Sequence, residues 1–151
     1  MKKAMIIFLV AIFAILPFRA GLCRSKPEAF NEGFKLYQQG QDASQYGMYE
    51  AAIAYFKKSL RINRKLQVLR GVSANLNELG MAYDSLGLYD KSLASYEEAL
   101  RIDRKLNNPG DIAIGLTNAA GVCESLGQYD RALKYYNEVL EIRRKLDVPQ
   151  D

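Results

Sequence analysis

Residues 85–106 read SLGLYDKSLASYEEALRIDRKL, and the chain says nearly the same thing at 125–146, SLGQYDRALKYYNEVLEIRRKL, and more loosely at 45–66, QYGMYEAAIAYFKKSLRINRKL. The second and third copies share 13 of 22 positions and the first and second share nine, each time at an offset of 40 residues. A period in this range marks a chain built from stacked units, none of which can bury its apolar side alone.

Within the central copy the apolar residues Leu88, Leu93, Tyr96, Ala99, Leu100, Ile102 and Leu106 recur at steps that put most of them on one helical face, and strand alternation does not fit. The stretch before it, GVSANLNELGMAYDSLG, carries a second stripe at Val72, Leu76, Leu79, Tyr83 and Leu86. Each unit therefore reads as two amphipathic helices, six in all, and the fold class as all-α. Gly47, Gly87 and Gly127 stand where a left-handed residue would end the first helix of each pair. Asp90 and Asp130 fall in the first turn of the second helix, and Arg64-Lys65, Arg104-Lys105 and Arg143-Arg144-Lys145 fall in its last turn, so helix polarity accounts for these charges without a ligand.

On these residues the chain resembles the tetratricopeptide repeat over about 33–146. The second copy carries the pattern most fully, as Leu76, Leu79, Gly80 and Tyr83 followed by Gly87, Tyr89, Ser92, Tyr96 and Ala99. The third copy reads Leu116, Ala119, Ala120, Cys123, Gly127, Tyr129, Ala132, Tyr136 and Val139, and the first copy departs furthest, with Gln39 and Ala43 at two of the positions. The unit of 40 residues, without the family's closing proline, implies a long variety whose second helices run on through Leu66, Leu106 and Leu146. The resemblance implies a right-handed α-solenoid of three helix-turn-helix repeats, at about 33–72, 73–112 and 113–151, after a lead-in at 24–32. It also implies a concave face, lined by the first helix of each pair, that binds a peptide or protein segment. The groove residues carried over are Phe34, Tyr37 and Gln41 in the first repeat, Ala74, Asn77, Met81 and Asp84 in the second, and Ile114, Thr117, Gly121 and Glu124 in the third, with Asn118 and Glu78 beside them. Asp84 and Glu124 favour a neutral or basic partner, and the family's clamp for a terminal carboxylate lacks its basic residues here.

The first segment has Lys2 and Lys3 before an unbroken apolar run from Ala4 to Leu16, closed by Pro17. That is the grammar of an export leader over residues 1–23, too short to span a bilayer as a helix, and it implies a periplasmic or extracellular protein. Cys23 in AGLC offers a lipidation point as the weaker alternative, which would leave the protein anchored to a membrane. Without the leader 18 basic residues face 17 acidic ones, so the pI near 9.0 does not argue for nucleic acid.

Chemistry finds little purchase. The chain has no histidine, which removes the commonest general base and zinc ligand, and neither G-x-x-x-x-G-K-[ST] nor G-x-S-x-G occurs. Cys123 reads as a buried structural thiol and Glu97-Glu98 as a solvated face. Tyr55, Phe56, Tyr96, Tyr135 and Tyr136 fall at core-like positions rather than on a stacking platform for bases. The expectation is a non-enzymatic interaction module with no cofactor, no metal and no nucleic-acid partner. The competing expectation is the N-terminal scaffold or sensory part of a larger assembly, which acts through the bare apolar side of its last repeat by self-association.

Overall fold

The computed structural model describes residues 25–146, so the segment read as a leader, Cys23 included, and the last five residues lie outside it. Six helices follow one another: α1 Lys26–Gln45, α2 Tyr49–Leu66, α3 Leu69–Ser85, α4 Tyr89–Leu106, α5 Pro109–Ser125 and α6 Tyr129–Leu146. Among the described residues there is no strand. The three hairpins are α1/α2, α3/α4 and α5/α6; α2 and α4 end at Leu66 and Leu106, and α6 runs through Leu146, the last described residue, in keeping with the repeat pattern. Helix α1 starts inside the stretch expected as lead-in. The reason is a capping box: Ser25 Oγ accepts from Glu28 N–H, and the Glu28 carboxylate accepts from Ser25 N–H, which satisfies two of the free donors of the first turn.

Glycine closes the first helix of every pair. Gly47, Gly87 and Gly127 adopt φ of 71°, 67° and 70°. Around Gly87, the Leu88 N–H donates to the Tyr83 carbonyl and the Gly87 N–H to the Asp84 carbonyl, the paired bonds that finish a helix in a left-handed turn. Helices α2 and α4 end the same way but without glycine: Gln67 and Asn107 take the left-handed conformation at φ 59° and 50°. Asn tolerates this region through its short polar side chain, and Gln67 is held there by its own N–H and that of Val68 reaching back to Arg64 and Asn63.

Each helix packs on its neighbours in sequence. In addition α1 touches α3 and α3 touches α5, whereas α2 and α4, like α4 and α6, have no Cα atoms within 8 Å of each other. The first helices are thus drawn together and the second helices splayed apart, so the row curves with α1, α3 and α5 on its inner side. Phe56 and Tyr96 seat in front of glycines, since a Cβ on Gly40 would lie 2.5 Å from the Phe56 ring and one on Gly80 would lie 2.6 Å from the Tyr96 ring. One apolar cluster, containing Phe56, Leu60, Val72, Leu76 and Leu79, joins the first two hairpins, and another, containing Tyr96, Leu100, Leu116, Ala119 and Val122, joins the last two.

The splayed outer helices are bridged by long side chains. Arg64 reaches Glu98 at 2.6 Å and Arg104 reaches Glu138 at 2.8 Å, one rung per repeat junction, while Arg131 and the Tyr135 hydroxyl converge on Glu97. The basic ladder read from the sequence chiefly as helix polarity therefore also links successive repeats, with Glu98 and Glu138 as its acceptors, and Glu97, which receives Arg131 and Tyr135, is likewise engaged rather than merely solvated.

Candidate functional site: a row of pockets on the inner face

Inner-face pockets recur at equivalent positions. The first, about 320 Å³, lies between α1 and α3 and is lined by Phe30, Gly33, Phe34 and Tyr37, with Asn63 and Ala74 opposite. The second, about 110 Å³, is lined by Arg70, Ser73, Ala74, Asn77, Asp103 and Asp111. The third, about 180 Å³, is lined by Ala113, Ile114, Thr117, Asn118 and Arg143. Moving by 40 residues carries Phe34 to Ala74 to Ile114, Tyr37 to Asn77 to Thr117, and Asn63 to Asp103 to Arg143. The same scaffold position therefore offers in turn an apolar, an acidic and a basic lining.

Of the residues read from sequence as groove positions or beside them, Phe34, Tyr37, Ala74, Asn77, Ile114, Thr117 and Asn118 line these pockets. Met81, Asp84 and Glu124 are exposed and line none of them, and Glu124 accepts from the Tyr136 hydroxyl of its own hairpin. Tyr37 and Gln41 are already engaged, because the Tyr37 hydroxyl and the Gln41 amide both donate to Glu78 Oε1 at 2.9 Å, a bridge from α1 to α3. Burial beside Glu78 holds the Tyr37 phenol well above the usual tyrosine range.

Sequence reasoning missed the contribution of the second helices. Asn63, Asp103 and Arg143 reach the inner face from the last turns of α2, α4 and α6. Asp103 is the notable case: it is 1% exposed, its Oδ1 accepts from the Ser73 hydroxyl, and its Oδ2 has no hydrogen-bond partner. Burial pushes its carboxyl up, the Ser73 hydroxyl draws it back down, the negative charge of Asp111 pushes up, and the neighbouring Asn77 amide draws down. The signal available in sequence was a carboxylate at a stripe position, spaced three and four residues after Leu100 and Ala99.

Chemically reactive arrangements are scarce. Cys123 is fully buried in the second apolar cluster, and burial pushes its thiol up. Among the described residues no group of three His, Cys, Asp or Glu side chains is placed to hold a metal ion, and no helix is long and apolar enough to cross a membrane.

Tetratricopeptide-repeat family models match residues 36–66 and 71–145. The chain belongs to the tetratricopeptide-repeat family, whose fold is generally that of a non-enzymatic scaffold for protein–protein interaction. Among solved structures it is similar to the tetratricopeptide-repeat domain of Arabidopsis FLU, with a TM-score of 0.73 and 19% identity over 79% of this chain and 99% of that one. It is also similar to BtubC of P. vanneervenii, with a TM-score of 0.74 and 21% identity over 79% of this chain and 49% of BtubC. MamA follows with a TM-score of 0.65 and 24% identity over 77% and 61%. At these identities the likeness is one of fold. No curated protein sequence matches the chain.

Proposed function

We propose that this protein is an exported interaction module whose inner groove binds an extended segment of a partner protein. The observation that carries this reading is the row of pockets at 40-residue intervals along α1, α3 and α5, each with a different lining. An extended peptide lying across the inner face would present successive side chains to successive pockets, so the differing linings supply selectivity. Export rests on the leader grammar of residues 1–23, and retention by a lipid at Cys23 is the variant of it.

The test is selection of binders from a random-peptide display library, followed by fluorescence polarisation on the purified chain. Peptides selected by the wild type should lose about tenfold or more in affinity for Phe34→Ala/Asn118→Ala at unchanged helicity. Retained affinity in that variant, or no selected peptide, removes the groove.

One observation favours a second reading. Helix α6 exposes Leu133 at 59% and Leu140 at 49%, whereas their counterparts Leu93 and Leu100 are buried at 6% and 2%. Together with Tyr129 they form an apolar face that suits association with a second copy or a further part of an assembly. Sedimentation of Leu133→Asp/Leu140→Asp against the wild type tests it: a monomer in both sinks the self-association.

A further inference from the structure

We propose that the pocket around Asp103 is a binding site for a primary ammonium group, the head of a lysine side chain. The inference deepens the groove reading and rests on it for the source of the lysine, but the site can be probed without a peptide.

Two acceptor oxygens in this pocket lack donors, Asp103 Oδ2 and Asn77 Oδ1, and both are sealed from bulk water. The Asp111 carboxylate lines the same cavity. A buried acceptor left without a donor is costly, and a buried carboxylate more so, unless a cation completes it. The pocket needs a compact group that only donates. An ammonium carries three N–H donors and no acceptor, and fits this set. A guanidinium is the poorer fit, because its fork seeks both oxygens of one carboxylate and Asp103 Oδ1 is already taken by Ser73. The room, about 110 Å³, suits a narrow methylene stem with its charged head.

Arg70 stands at the same pocket and is the intramolecular competitor. It is exposed and forms none of the ion pairs among the described residues. Whether it occupies the pocket or only stands beside it, Arg70 opposes an incoming ammonium by competition and like charge, so its removal helps. The equivalent position in the first repeat is Asn63, whose amide finds donors' work inside its own helix by bonding Ser59 O at 3.2 Å. The carboxylate thus belongs to the second pocket and not to the scaffold in general.

The experiment titrates N-acetyl-lysine-methylamide into the full chain and follows the side-chain amide of Asn77 and the backbone amide of Ser73 by NMR. Saturable shifts in the millimolar range are expected, absent with the norleucine and Nε-acetyl-lysine analogues. Asp103→Asn should abolish them, and Arg70→Gln should strengthen binding several-fold. Equal shifts with norleucine, no saturation, persistence in Asp103→Asn, or no gain in Arg70→Gln each overturn the proposal. Lysine binding without any selected peptide would keep this site and remove the groove reading. Selected peptides that bind equally well with norleucine in place of every lysine would do the reverse.

Discussion

Replacing Asp103 by Asn should make the protein more stable. The wild type buries a carboxylate with one oxygen unpaired and, beside it, an Asn77 carbonyl oxygen also unpaired. Asn keeps the shape, removes the charge and puts an N–H₂ donor where Oδ2 stood, within the same pocket as Asn77 Oδ1. Clearing buried unsatisfied acceptors is worth about 1–3 kcal/mol each, and the Ser73 hydroxyl then bonds a neutral rather than a charged oxygen, a loss of about 1 kcal/mol. The net is a gain of at least about 1 kcal/mol at pH 7, which for a domain of this size raises Tm by roughly 4 °C or more.

The pH dependence has a definite sign. Because Asp103 has a raised folded-state pKa, the folded wild type takes up a proton before the unfolded chain does. The destabilising charge is fully present above that pKa and is relieved as pH falls through it toward the unfolded value of about 3.9. The Tm gap between Asp103→Asn and wild type, followed by circular dichroism, should therefore be widest at neutral pH and narrow on acidification. A variant less stable than wild type at pH 7, or a gap that does not change with pH, refutes the account of Asp103 as an uncompensated buried acid. Stability gained together with lysine binding lost would mark the residue as one kept for binding at the expense of folding.

Further outcomes follow from the packing. Gly121→Ala, which meets nothing within 4 Å, should stabilise by about 0.5–1 kcal/mol through helix propensity, whereas Gly80→Ala drives a Cβ into the Tyr96 ring and should destabilise by about 1–2 kcal/mol; chemical denaturation of both separates the effects, and a gain in both would sink the close-packing argument. Tyr37→Phe removes the hydroxyl that donates to Glu78 and should cost about 1 kcal/mol in the same assay. The Arg104 and Glu138 pair is half-exposed, so a double-mutant cycle should give a coupling of about 0.2–1 kcal/mol that fades in 1 M salt, and a salt-independent coupling would contradict it. Gly87→Ala forces a side chain into φ 67° and should cost about 1–2 kcal/mol, against little change for an exposed helical control such as Arg61→Ala.

The linear pattern by itself determined the six helices of the described residues, their pairing into three units, the left-handed turns at Gly47, Gly87 and Gly127 and the helix ends at Leu66 and Leu106. All of these are written in interactions between residues a few positions apart: the step of the apolar stripe, a glycine free to adopt positive φ, a charge near a helix end. Even the early start of α1 at Ser25 and Glu28 was legible in that sense, since the capping box spans three residues. What only the tertiary structure decided depends on residues that come together across helices. Glu78 receives Tyr37 and Gln41, Glu98 receives Arg64, and Asp103 loses its solvent, because curvature draws α1, α3 and α5 together while α2, α4 and α6 splay. A stripe position on a helix says which way a side chain faces, but whether an acid there meets water, an arginine or an empty pocket is set by the angle at which the next hairpin arrives.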